Sequence, residues 1–267
     1  GDEVKYVAHE DAGRYARVGS DWYKWVYRLN GAGELLETLE PWKVGEIQRD
    51  YKKYPRFLEE CPKYDGFTVV PNFNGEYQRV VHNNLNLVTP LNHLPKPGDI
   101  TNTLRFLKHL FGGEATPEKQ IEADPFTVAL DWLTIAHNQP KHQLPVIILV
   151  SKENKTGKST FLNWINWIYG NNATVLNNAQ FAMKFNAHYA TKMFIGLDEA
   201  FQDLDKKAEK ERLKQMVTSK EMQIERKGVD LKPVPFFAKI VMCSNDADKV
   251  MKLDEEETRW FVVKVPQ

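Results

Sequence analysis

The chain has 267 residues, 42% hydrophobic and 27% charged, a globular composition with enough apolar mass to bury a core. Lys and Arg total 36 and so do Asp and Glu, so bulk charge makes no case for nucleic-acid binding, and any such case must rest on a local patch. The two cysteines, Cys61 and Cys243, stand far apart and outside any Cys/His cluster, so neither a disulfide framework nor a zinc site is indicated, and no apolar run reaches the ~18 residues of a membrane helix.

In chain order, residues 1–99 read as a smaller mixed α+β region. Trp25, Tyr27 and Leu29 alternate as in a strand, and with Trp22 and Tyr23 they form an aromatic group. That group reads as local core, with base stacking as the alternative. Asn30-Gly31 is a turn signal. Residues 35–54 look partly helical, and 66–70 and 77–81 look like short strands around Asn74-Gly75. The proline-rich stretch 90–99 is a connector and the expected boundary. A helical segment occupies 100–143: one helix over 101–111, closed by Gly112-Gly113, and a second opened by Asp124-Pro125 and running to about His137.

From 144 to 267 an unbroken apolar run appears at 145–150, buried strands are predicted at 193–197, 237–243 and 260–263, and a helix over 158–169. Buried strands alternating with helices predict an α/β fold with a mostly parallel sheet. Trp164 and Trp167, in that first helix, read as packing residues.

The strongest chemical signal is Ser151-Lys-Glu-Asn-Lys-Thr-Gly-Lys-Ser-Thr160, set between a buried strand and a helix. A phosphate-binding loop needs that placement, because the N–H groups and dipole of a helix start favour an anion. Asn154, Lys155, Thr156, Gly157, Lys158, Ser159 and Thr160 are its candidate nucleotide-binding residues. Lys158 would reach the β and γ phosphates of ATP, and the Ser159 hydroxyl would ligate Mg²⁺. Lys152 stands where the usual first glycine would be, which leaves the backbone path of the loop open.

The second signal is the strand 194–197 ending in Asp198-Glu199. Asp198 would hold Mg²⁺ and Glu199 would orient and polarise the attacking water. The third is the strand 240–243 ending in Ser244-Asn245, which delivers Asn245 to a sheet edge to sense the γ-phosphate, or else to make a turn with Asp246.

GKST, then DE, then an apolar strand ending in SN, all within about 90 residues, resembles the superfamily III helicases, a P-loop AAA+ group. The similarity is greatest to phage and prophage primase-helicases, relatives of the poxvirus type. Their phosphate loop also lacks the first glycine, and residues 84–90 look like the region before their helicase core. The resemblance covers roughly 80–265. It implies a P-loop NTPase core that hydrolyses ATP with Mg²⁺, a homo-oligomer forming a hexameric ring, and single-stranded DNA as partner. It further implies a bacterial or phage-infected cytoplasm as the location, and leaves open whether a primase or a polymerase module lies upstream in a longer chain. A hairpin of that family enters the ring channel, and Gln223 to Asp230 occupies its place, with Arg226 and Lys227 as candidate DNA contacts. Two cations beside Gly228 suit phosphate contact without base readout, and a solvated turn is the alternative. Arg259 matches the family's arginine finger, which completes a neighbour's site in trans. Trp260 stands where a second arginine is common, and pairing of Arg259 with the acidic run 254–257 is the alternative. The expected function is an ATP-driven DNA helicase or translocase of phage or mobile-element replication. The rival is an ATP-regulated assembly module that loads a primase without processive unwinding.

Overall fold

The computed structural model describes residues 8–29, 35–112, 115–116, 124–183, 186, 188–198, 207–226, 229–245 and 259–266, with backbone alone at 115–116, 182, 207–212, 224–226 and 229–232. The chain divides into two compact units, Gly1–Thr68 with Gln78–Leu87, and Val69–Tyr77 with Val88–Gln267. The connector 90–99 and the helical segment that follows it belong to the second unit.

In the first unit, β1 (Tyr15–Val18), β2 (Asp21–Leu29) and β3 (Leu35–Pro41) form an antiparallel meander. Helices α1 (Val44–Asp50) and α2 (Phe57–Glu60) lead to β4 (Lys63–Tyr64), which lies parallel to β1. Strands β5 (Gly66–Thr68), β6 (Val80–Val81) and β7 (Asn84–Asn86) make a separate sheet of order β5-β7-β6. Only the later part of the stretch read as partly helical is helix. Leu35–Pro41 is strand because it pairs along its whole length with β2, Leu39 opposite Trp25 and Glu37 opposite Tyr27, and cross-strand contact outweighs the helix preference of Leu and Glu. The aromatic group divides as well: Tyr23 is buried, Trp22 and Trp25 pack on the cores, and Tyr27 is exposed.

The second unit opens with α3 (Thr101–Phe111), the two-residue strand β8 (Ala115–Thr116) and α4 (Pro125–Asn138). The Asp124 carboxylate accepts from the Thr127 N–H at 3.1 Å, so the Asp-Pro start of α4 is a true N-cap. The order then runs β9 (Val146–Val150), α5 (Lys158–Tyr169), β10 (Ala173–Leu176), α6 (Asn178–Ala182), β11 (Phe194–Leu197), α7 (Lys207–Thr218), β12 (Glu221–Arg226), β13 (Val229–Pro235), β14 (Lys239–Ser244) and β15 (Trp260–Lys264). The sheet order is β10-β11-β14-β9-β15-β8. The first five strands are parallel and β8 is antiparallel to β15.

Every residue of β9, β11 and β14 is buried, the expected state of parallel strands covered on both faces. A Cβ on Gly196 would meet Leu162 at 3.1 Å and Val175 at 3.3 Å, so glycine in mid-β11 lets α5 lie close to the sheet. On α5, Trp164 lies partly buried against Phe161, whereas Trp167 is exposed and parallel to the His93 ring. The packing reading holds for the first tryptophan only. No helix among the described residues is long and apolar enough to cross a membrane.

Candidate functional site

Register sets the site. Leu176, Leu197 and Met242 lie abreast, as do Ser244, Val150 and Lys264. The residues that follow these strands therefore emerge at one edge of the sheet, the carboxyl end where open α/β sheets hold ligands. Loop 151–157, Asp198 and Asn245 all leave from that edge.

The loop turns twice through left-handed backbone, at Lys155 (φ 64°) and at Gly157 (φ 93°). Lys152 has no positive φ, so this path makes no conformational demand for glycine there. Gly157 is required on two counts. Its φ is left-handed, and a Cβ there would stand 3.2 Å from Phe106 and 3.4 Å from Leu110. Helix α3 thus packs directly against the loop. His109 adds a polar tie: its Nε2 lies 3.2 Å from the Thr156 carbonyl oxygen, which can only accept, so the ring donates from Nε2.

Helix α5 starts at Lys158 with no side chain capping it. The first N–H groups of an α-helix have no partner within the helix, so this start offers donors and the positive end of the dipole to an anion. Lys158 is buried, and its Nζ donates to the Ser151 and Glu153 carbonyls (3.4 and 3.1 Å) and to Thr156 Oγ1 (3.1 Å). Burial holds its pKa below the ordinary lysine value, opposed by the charge of the nearby Asp198. Burial and Asp198 together push the Cys243 thiol up, which keeps it neutral.

Ser159 Oγ donates to Asp198 Oδ1 at 3.2 Å. Asn245 Nδ2 donates to Asn154 Oδ1 at 3.3 Å across the loop mouth. One cleft of about 160 Å³ is lined by Asn154, Lys155, Thr156, Gly157, Lys158, Ser159, Thr160, Asp198, Cys243 and Asn245. Among the described residues no cluster of three or more His, Cys, Asp or Glu could hold a metal. A magnesium ion here would instead be shared with its substrate, as this ion often is. The Ser159–Asp198 pair suits such sharing, since two neighbouring octahedral ligands at about 2.0–2.1 Å from Mg²⁺ lie about 2.9 Å apart.

Other candidates fall elsewhere. Arg259 lies at the opposite end of the sheet, where its carbonyl accepts the Val146 N–H at 2.8 Å and its side chain is half-buried. It does not reach its own chain's cleft. Glu199 and Lys227 lie outside the described residues. Arg226 ends β12, which pairs antiparallel with β13, so the expected hairpin is present in backbone. Sequence reasoning missed three participants. Cys243 was read only as strand, although it sits two residues before Asn245 on the cleft-bearing edge. Phe106 and His109 carried no signal, because their contacts join segments about fifty residues apart.

A model of the family of unknown function DUF5906 matches residues 149–259, from the end of β9 to the residue before β15. No curated protein matches. Among solved structures, the apo structure of the NrS-1 C terminal region (305–718) aligns with a TM-score of 0.70 at 15% identity, over 94% of this chain and 58% of that one. The A form apo structure of the same region aligns at 0.68 and 15%, over 95% of this chain and 58% of that one. This chain therefore spans about 58% of the length of those structures. The likeness is one of fold.

Proposed function

We propose that this chain is the ATPase part of a DNA helicase or translocase of phage or mobile-element replication, of the superfamily III kind. It would hydrolyse ATP at subunit interfaces of a ring. The observation that carries the reading is the uncapped start of α5 behind left-handed Gly157, with buried Lys158 and with Ser159 Oγ 3.2 Å from Asp198 Oδ1. Uncapped donors, a buried lysine and a hydroxyl–carboxylate pair in one cleft are the complement of a magnesium-bound triphosphate.

The roles divide by chemistry. Backbone N–H groups of the loop and of the start of α5 hold the β-phosphate. Lys158 exchanges its bonds to the loop for phosphate oxygens. Ser159 and Asp198 hold Mg²⁺, which when bound neutralises phosphate charge. Glu199 orients the attacking water, and Asn245 reports the γ-phosphate to β14. Arg259 acts on a neighbour's nucleotide. In support, it stands one strand length from its own cleft, five residues of β15 at about 3.3 Å each. Arg226, which ends β12, and Lys227, the next residue in the sequence, follow single-stranded DNA through phosphate contact.

The test is ATP hydrolysis with and without single-stranded DNA, read beside strand displacement at high protein concentration. Wild-type chain is expected to be stimulated by DNA and to separate duplex. Lys158→Ala should abolish both activities. Lys227→Ala should keep basal hydrolysis, lose stimulation and bind DNA with a flatter salt dependence. Absence of ATP binding would sink the reading, and DNA-stimulated hydrolysis without strand displacement would favour the assembly-module rival.

A further inference from the structure

A second cavity lies within the same unit, away from the cleft. It has about 480 Å³ and is formed by segments 71–74 and 138–142. The Pro140 carbonyl accepts from Nζ of Lys239, the first residue of β14. The cavity therefore stands at the amino end of the parallel strands, opposite the loop.

Its walls are fixed. Phe73 packs on His137 and Tyr169, with centroids 5.7 and 5.3 Å away. Asn74 Nδ2 donates to Asn138 Oδ1 at 2.7 Å, which ties the two segments together. Its chemistry is specific. Asn74, Asn138 and Gln139 bring carboxamides, Phe73 is half-exposed, and Lys141 and His142 are exposed at the rim. No lining residue is acidic. Among the described residues the side chains of Gln139, Lys141 and His142 have no hydrogen-bond partner, and the Asn74–Asn138 bond leaves one amide and one carbonyl group unused.

Carboxamides both donate and accept, and so match the edge of a nucleobase. A half-open aromatic ring offers a stacking face. Lys141, exposed at the rim, offers a cation to an anionic group.

We propose that this cavity binds one nucleotide unit. The base lies against Phe73 with its edge on Asn74 and Asn138, and the phosphate lies on Lys141 and His142. This rests on the DNA-handling part of the function proposed above and adds to it a place at the far end of the sheet from the ATP cleft. A single strand and a free mononucleotide offer the same chemistry, and the experiment separates them.

The whole chain is irradiated with an oligothymidylate carrying 4-thiothymidine, and separately with 4-thiothymidine monophosphate. Crosslinked peptides are mapped, and strand affinity is measured by anisotropy. Crosslinks are expected within 71–74 or 138–142. Their appearance with the strand, with the monophosphate or with both identifies the source. Phe73→Leu keeps an apolar side chain at this position but removes the π-face, and should weaken binding about tenfold, within the range for one lost base–aromatic stack. Lys141→Ala alters only an exposed side chain and should weaken strand binding several-fold with a flatter salt dependence. Binding of ATP at Lys158 should be unchanged in both. If wild-type chain binds the strand but crosslinks map elsewhere and both variants bind normally, this site is overturned and the DNA reading stands. If wild-type chain binds neither probe outside the Lys158 cleft, both fall.

Discussion

Lys155 carries a strain that its neighbour Gly157 avoids. At φ 64° a lysine pays the left-handed penalty of its Cβ, roughly 1–2 kcal/mol. Glycine would remove it but bring about 0.5–1 kcal/mol of extra chain entropy in the unfolded state. Lys155→Gly should therefore raise stability by about 0.5 kcal/mol. Gly157→Ala should go the other way, by about 2 kcal/mol or more, since left-handed strain adds to a contact of 3.2 Å with Phe106. Melting temperatures of the three proteins check the order: Lys155→Gly highest, Gly157→Ala lowest. A Gly157→Ala protein as stable as wild type would mean that α3 does not grip the loop as described.

Strand β14 links two chemistries. It enters at Lys239, whose buried ammonium donates to the Pro140 and Phe237 carbonyls, and it leaves at Asn245 in the cleft. Burial lowers the Lys239 pKa to about 8, below its unfolded value of about 10.4. Between these two values the unfolded chain holds a proton that the folded chain has released, so folding gains stability as pH rises through that window. Below about pH 8 the folded chain carries the charge and its full desolvation cost. Lys239→Met should lack this rise. Unfolding free energies of variant and wild type, compared from pH 8 to 10, should diverge by at most ~1.4 kcal/mol per pH unit, and parallel profiles would contradict it. The same strand shows what sequence can disclose. Apolar runs such as Ile240 to Cys243 are legible because a strand covered on both faces admits no polar alternation. Strand order is not legible: nothing in β9 says that β14 and β15 will flank it. Nor is the α3 contact, since Phe106 and Leu110 look like any amphipathic pair until the loop is laid over them. The early stretch 35–41 misled for a related reason, its pairing partner lying in β2.

At the scale of the molecule, Arg259 and the cleft stand at opposite ends of one sheet, so a finger role demands a second subunit. Glu199→Gln should bind ATP and barely hydrolyse it. Arg259→Ala should be as inactive, with its own pocket intact. In a mixture, some interfaces pair a sound pocket with a sound finger, and each should regain on the order of 10³-fold. Hydrolysis should therefore return on mixing and grow with protein concentration, DNA being present. Oligomers that stay inactive when mixed would end the shared-site proposal and leave the cleft assignment untouched. The sheet order has a consequence for synthesis. β9 lies between β14 and β15, strands encoded some ninety to a hundred and ten residues later. A nascent chain therefore carries five wholly apolar residues with both hydrogen-bonding edges open until β14 and β15 emerge. Pairing across so long a loop is slow, and open apolar edges invite association with other chains. Loop 151–157 thus hangs on a strand that must wait some ninety residues or more for both of its neighbours.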